Sequence, residues 1–213
     1  MRLRLDLHIH TIKSIDSSIE LGDAVRRCRE EGLDGFAVTD HDELTKIPSE
    51  FSENSNIIII PGMEASADGA HILAFDIEEQ IPAQLPILET VDLIHGQGGI
   101  AVIAHPYSVF KAWVNSREIE QSKFDCVEVA NAAQFPYGWM LSKNTALAQK
   151  LGLPETGGSD AHIPRTMGRA YTVLESDSRD REGVLRALRR GETSAEGRGI
   201  TLLERLKLRE RLT

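Results

Sequence analysis

Asp6-Leu7-His8-Ile9-His10 reads as the end of a β-strand in which every second residue is polar. Alternate side chains of an extended chain share a face, so Asp6, His8 and His10 project together while Leu5, Leu7 and Ile9 project to the other side. The result is a ligand-bearing face backed by an apolar one. Two imidazoles at i and i+2 beside a carboxylate can converge on one cation, and borderline divalent metals accept that mix. A strand whose histidines merely align has the same pattern, so the rest of the chain decides between the two.

Outward from this stretch, strand-like and helix-like patterns alternate. Residues 19–31 carry Leu21, Ala24, Val25 and Cys28 at i, i+3, i+4 and i+7, with Gly32 as a stop, which predicts a helix. Residues 33–39 predict a buried strand ending in Thr39-Asp40-His41-Asp42. Four consecutive isoleucines at 57–60 predict a strand covered on both sides, as parallel strands are, ending at Gly62-Met63-Glu64. Residues 70–75 predict a short strand with His71 near its start, in a hairpin with the region of Glu64. Helices are predicted over 85–97, 139–151 and 181–190, strands over 100–104, 124–129 and 170–174, and a strand with a loop beyond it over 154–162. In that last stretch Gly157-Gly158 gives the backbone room to approach a crowded centre.

Such alternation predicts an α/β fold with a parallel sheet and helical crossovers. His10, His41, Glu64, His105, Asp160 and His162 all fall at or just beyond the C-terminal ends of predicted strands. Closed α/β barrels collect their functional side chains there, so a barrel is expected rather than an open sheet.

The chain of 213 residues suffices for one domain with a full core, and no Pro/Gly/Ser-rich linker divides it. With 41% hydrophobic and 27% charged residues it has the composition of a globular protein. A net charge of −9 argues against non-specific grip on long nucleic acid, which needs clustered Lys and Arg. The chain enters its first strand without a signal-peptide pattern and has no apolar run of spanning length, so a cytoplasmic location and no membrane partner are expected. Cys28 and Cys126 predict buried small hydrophobes rather than a disulfide framework.

Taken together, the motifs resemble those of the PHP (polymerase and histidinol phosphatase) superfamily of metal-dependent phosphoesterases. Asp6-Leu7-His8-Ile9-His10-Thr11 looks like its first motif, Thr39-Asp40-His41 the second, Ala104-His105-Pro106 the third and Ser159-Asp160-Ala161-His162 the fourth. Gly62-Met63-Glu64 and Ala70-His71-Ile72-Leu73 look like the bridging glutamate and an additional histidine. The resemblance runs from Asp6 to about Gly191 and implies a distorted (β/α)7 TIM-like barrel with up to three metal ions on nine ligands. It implies a first ion on His8, His10, Glu64 and Asp160, and a second that shares Glu64 and is completed by His71 and His105. Asp16, His41 and His162 would hold a third, with Asp16 standing where some members carry a histidine.

A barrel domain over 1–191 and a helical extension over 192–213 are therefore expected, with two or three divalent ions bound. Histidine-rich ligation suits Zn, Mn or Fe better than Mg. Asp16, His41 and His162 are candidates for moving a proton in catalysis, and Arg165 for contacting a phosphate, with Lys111 a weaker candidate. Asp6 and Asp40 are expected to orient histidine rings by hydrogen bonds. Tyr107, Phe110, Trp113 and Tyr137 are expected either to wall a pocket or to pack as ordinary core, and Glu128 and Asn131 end a strand at the same rim without an assigned role. The expected function is hydrolysis of a small phosphorylated substrate by metal-activated water. The alternatives are a phosphodiesterase or exonuclease-like protein acting on nucleotides or nucleic-acid ends, and a non-catalytic metal-binding regulatory module. Oligomeric state is left open.

Overall fold

β1 (Arg2–Ile9) is followed by α1 (Leu21–Glu30) and by β2 (Gly35–His41), which pairs parallel to β1. The short α2 (Ser49–Asn54) leads into β3 (Ile58–Ala67), parallel to β2, and β4 (Ala70–Phe75) turns back on β3 as the expected hairpin. Then come α3 (Ile87–Gly96), β5 (Ile100–Ala104), α4 (Ser116–Gln121), β6 (Cys126–Asn131), α5 (Tyr137–Leu151) and β7 (Glu155–Gly158), with β5, β6 and β7 mutually parallel. A 3-10 turn (Pro164–Thr166), β8 (Ala170–Glu175), α6 (Arg181–Arg190) and β9 (Thr193–Gly197) complete the order. This computed structural model describes residues 1–54, 56–107, 116–201 and 203–205. Phe110, Lys111 and Trp113 lie outside the described residues.

The nine strands form one sheet in the order β7-β6-β5-β4-β3-β2-β1-β8-β9. The sheet curls until its β7 end meets β1. β8 pairs antiparallel with the first half of β1, from Arg2 to Leu5, and beyond it Asp160 N–H donates to His8 O (2.8 Å) and His10 N–H to Ala161 O (3.0 Å). Asp6 seals the same seam by accepting from the backbone N–H groups of Ser159 (2.8 Å) and Gly168 (2.8 Å). The expected barrel is thus present and nearly closed. Its distortion comes from β4, which runs antiparallel to both neighbours, and from the β8–β9 ribbon that splits the lower half of the seam.

Helix ends follow their local chemistry. Gly152 and Gly191 stop α5 and α6 in the left-handed conformation (φ 65° and 71°), and Asp180 caps α6 by accepting from Gly183 N–H. One expectation fails at the chain's end: Thr193–Gly197 of the 192–213 extension is strand rather than helix, because β8 offers an edge whose ladder it completes. Past β9 the chain returns to the end of β6, where Ile200 N–H donates to Ala132 O (2.9 Å) and Arg169 pairs with Glu204 (2.7 Å).

Three apolar clusters hold the layers together. One gathers Leu3, Leu5 and Leu7 with Phe75, Val102, Cys126 and the α6 residues Val184, Leu185 and Leu188. A second joins Ile9 to Ile19, Ala24, Val25 and Cys28 beside α1. The third packs α3 and α5 against β3 to β6. Leu7 and Ile9 belong to different clusters, so strict alternation breaks between them, where β1 carries a bulge between Asp6 and Ile9.

Candidate metal centre

The bulge in β1 leaves Asp6 at the seam while His8 and His10 turn to each other, their Nε2 atoms 3.1 Å apart. Asp6 therefore does not share the histidines' face, a correction to the alternation read from the sequence. Both rings are buried. Two lone-pair nitrogens at this spacing repel unless a proton or a cation sits between them.

Glu64, at the β2–β3 register position opposite His41, is buried and stands in the middle of the histidines. Its Oε1 lies 2.7 Å from His71 Nδ1 and 3.0 Å from His105 Nε2. Its Oε2 lies 2.8 Å from His41 Nδ1, 3.4 Å from His10 Nε2 and 3.5 Å from His8 Nε2, yet makes no contact of hydrogen-bonding geometry. Asp160 Oδ1 lies 3.2 Å from His10 Nε2, 3.6 Å from His8 Nε2 and 3.7 Å from His162 Nδ1. Nearer the solvent, Asp16 Oδ2 is 3.3 Å from His162 Nε2 and 3.7 Å from His41 Nε2, and its Oδ1 is a buried oxygen without a partner.

All nine side chains named from the sequence, His8, His10, Asp16, His41, Glu64, His71, His105, Asp160 and His162, thus meet at one rim of the barrel. They form overlapping triads rather than three separate sets: His10/His41/His162, His8/His105/Asp160, His8/His10/Glu64 and His41/Glu64/His71 each place their donor atoms within 4.8 Å of one another. His41 belongs to two regions at once, its Nδ1 on Glu64 and its Nε2 toward Asp16.

Electrostatics at the rim are those of ligands holding protons in place of a cation. Burial pushes His10 down to about 4. Burial acts on His8 and His41 in the same direction, yet Glu128, Asp160 and Glu64 raise His8 well above the usual imidazole range, and Asp16 and Glu64 raise His41 to about 10. Burial opposes the ionisation of Glu64, but the His8 charge, the hydrogen bonds from His105 and His71 and the nearby His41 ring hold its carboxyl well below the usual range. Asp160 is held low in the same way by His8 and His10. Three carboxylates and six histidines with two unpartnered buried oxygens fit divalent cations better than any internal hydrogen-bond scheme.

Two of the backbone positions are strained. His105 (φ 29°) and Asp160 (φ 52°) lie in the left-handed region, which costs non-glycine residues on the order of 1–3 kcal/mol and persists where the surroundings impose it. Gly158 lets β7 approach: a Cβ there would fall 2.3 Å from His8 Cβ, which is the close approach that the glycine pair predicts.

Asp6 and Asp40 bind chiefly backbone and hydroxyl groups, not imidazole rings. Asp40 accepts from Thr11 N–H (2.6 Å), Thr11 Oγ1 (2.7 Å), Ser14 Oγ (2.9 Å) and Thr45 Oγ1, and reaches the His10 ring only through Ser14, whose Oγ is 3.3 Å from Nδ1. The ring of His8 is instead met by Glu128 (2.9 Å). Arg165 is exposed on the 3-10 turn, with no side-chain hydrogen bond or ion pair among the described residues. Tyr107 packs against the apolar core, and Tyr137 opens α5 half-buried.

The sequence profile of the PHP domain matches residues 6–134, more than half of the chain, and that of the PHP-associated region matches 142–193. The chain belongs to the PHP family. A relative of this PHP protein, the uncharacterized protein MJ1587 of Methanocaldococcus jannaschii, is 31% identical over 146 residues, covering 61% of this chain and 82% of its own. A probable phosphatase of Proteus mirabilis is 23% identical over 209 residues, covering 80% and 83%. Among solved structures, the PHP fold recurs in a two-domain protein of Bacteroides vulgatus containing a predicted PHP-like metal-dependent phosphoesterase (TM-score 0.73, 20% identity), of which this chain spans 65% and which covers 93% of this chain. It recurs also in a lesion-specific endonuclease of Pyrococcus furiosus (TM-score 0.65, 16% identity, covering 89% of this chain and 56% of that one). No helix among the described residues is long and apolar enough to cross a membrane.

Proposed function

We propose that this PHP-family chain is a hydrolase that cleaves a phosphate ester of a small molecule with two or three divalent ions held at the barrel rim. The observation that carries this reading is the position of Glu64, whose two oxygens face different histidine sets, His71 and His105 on one side and His8, His10 and His41 on the other. A buried carboxylate so placed is suited to be shared between neighbouring cations. His8, His10, Glu64 and Asp160 would hold one ion, Glu64, His71 and His105 a second, and Asp16, His41 and His162 a third. Zn, Mn or Fe suits this donor set.

When bound, divalent ions lower the pKa of water and offset the charge of a phosphate. The chain's own residues supply the rest. His8 and His10, fully buried, fix the inner ligands and exclude bulk solvent, whereas Asp16, His41 and His162 are 42%, 28% and 19% exposed and face the substrate side. His41 or His162 can deliver a proton to the leaving oxygen, with Asp16 holding the imidazole for the transfer. Arg165, exposed three residues beyond His162, is placed in sequence to hold a non-bridging phosphate oxygen as a fork.

A second reading, cleavage of a diester at nucleic-acid ends, is favoured by the fold shared with a lesion-specific endonuclease. The probable phosphatase among the relatives and the net charge of −9 favour the small-molecule reading. Turnover of p-nitrophenyl phosphate and of bis(p-nitrophenyl) phosphate by protein loaded with Mn²⁺ or Zn²⁺ separates them. A monoester preference of tenfold or more is the expected result; the reverse preference replaces the phosphatase with the diesterase, and no turnover of either that Glu64→Gln abolishes points to a non-catalytic module.

A further inference from the structure

Glu128 on β6 is buried, and it is neither one of the nine candidate ligands nor a residue that any step above uses. Its Oε1 lies 2.9 Å from His8 Nδ1. Its Oε2 accepts from His105 N–H (2.9 Å) and from Asn131 Nδ2 (3.0 Å), and the same Asn131 nitrogen is 3.3 Å from Asp160 Oδ2. One carboxylate on a fourth strand is therefore tied to candidate ligands from β1, from the end of β5 and from the loop after β7. Two of the three, His105 and Asp160, are those with left-handed backbone (φ 29° and 52°).

Local structure makes this arrangement possible. Residues three apart on a regular strand face opposite ways, yet Glu128 and Asn131 reach the same side because β6 carries a bulge between Glu128 and Ala130. Val129 and Ala130 accordingly both pack into the outer apolar cluster, while Cys126 joins the cluster of Leu3, Leu5 and Leu7.

We propose that Glu128, with Asn131, is the positioning residue of the metal centre: it turns His8 Nε2 toward the ions, pins the strained His105 backbone and steadies Asp160, without touching metal or substrate. The proposal rests on the metal reading above. A glutamine at 128 cannot replace the carboxylate, since its single oxygen can satisfy His8 or His105 but not both, and its NH2 group then faces a donor.

The test uses the full-length protein, Zn²⁺ titrated against a competing chelator, and ¹⁵N-histidine correlation spectra of the Zn²⁺-loaded form. For E128Q the expected result is a loss of Zn²⁺ affinity of about tenfold to a hundredfold, with the far-UV circular dichroism unchanged and with His8 ring signals displaced from their Nδ1-protonated, Nε2-ligated pattern. N131A should show a smaller loss, and E128D, which keeps the charge, should recover part of it. Wild-type protein that takes up no Zn²⁺ overturns the metal centre and this role together. Wild-type protein that loads, with E128Q loading as tightly and with unchanged His8 signals, overturns the positioning role alone. Should E128Q fail to fold, N131A decides: unchanged affinity overturns the role, and reduced affinity in folded protein supports it.

Discussion

At the scale of single residues, the centre is a set of charges that stabilise one another only in company. Substituting His8 by Ala or Asp160 by Asn should lower hydrolysis by about a hundredfold or more, because positioning contacts alone are worth ten- to a hundredfold in metal affinity or activity and these are proposed as direct ligands. Circular dichroism should stay near wild type, with bound metal by elemental analysis falling alongside activity; full activity in either variant contradicts the ligand set. The rim also predicts a pH dependence. His41 is raised to about 10 in the ion-free protein, so it is protonated at pH 7, and an ion competing for it must expel that proton. Apparent metal affinity should therefore rise with pH up to about 10, and calorimetry at pH 7 in buffers of different ionisation enthalpy should report net proton release. The sign for stability is the opposite. Protonated His41 stabilises the ion-free fold fully below its unfolded value of 6.5, and that contribution is lost as pH rises through 10, so added metal should matter most to thermal stability at alkaline pH. The nine candidate ligands were legible because each falls at or near a strand end or in the loop after it, and because imidazole and carboxylate have few other reasons to collect there. Glu128 was legible only as a residue of the rim, and its role, like Ser14 and Thr45 altogether, was not, since a positioning contact depends on which ring a side chain happens to meet.

At the scale of elements, most boundaries follow from period and caps: β5 and α6 lie where the pattern puts them, and α1, α3 and α5 differ by a residue or two at their frayed ends. What periodicity could not reveal are the two bulges, in β1 between Asp6 and Ile9 and in β6 between Glu128 and Ala130. Each inserts one residue against its partner and reverses the face of everything after it, so a period-2 reading places Asp6 with the histidines and Asn131 away from Glu128. β9 was missed for a different reason: its sequence is a weak strand former, and only the open edge of β8 makes it one. The seam supplies a stability test. In G158A the added methyl group would meet His8 Cβ at 2.3 Å and its backbone nitrogen at 2.7 Å, with no flexible chain end to give way. Overpacking of this kind costs about 1–3 kcal/mol, so the melting temperature should fall and metal affinity with it. A G158A protein as stable as wild type would mean that β1 and β7 do not close at this point.

At the scale of the whole molecule, fold and site are one design: strands that run the same way deliver their ends to one rim, and the reversed β4 brings His71 to that rim from the start of a strand rather than its end. The net charge of −9 then has a functional consequence. With no bound cations the chain as a whole carries excess negative charge and the rim lacks metal ligation for phosphate, so substrate affinity should depend on metal loading far more than on ionic strength, and binding to long DNA should be weak at physiological salt even in loaded protein. Tight, salt-sensitive DNA binding would instead favour the endonuclease-like reading. The central claim is that the nine side chains trap divalent ions, and anomalous X-ray diffraction from crystals loaded with Zn²⁺ or Mn²⁺ tests it most directly. The account predicts at least two anomalous peaks, one among His8, His10, Glu64 and Asp160 and one among Glu64, His71 and His105, at about 2.0–2.3 Å from the ligand atoms; loaded crystals with no peak within reach of Glu64 would contradict it.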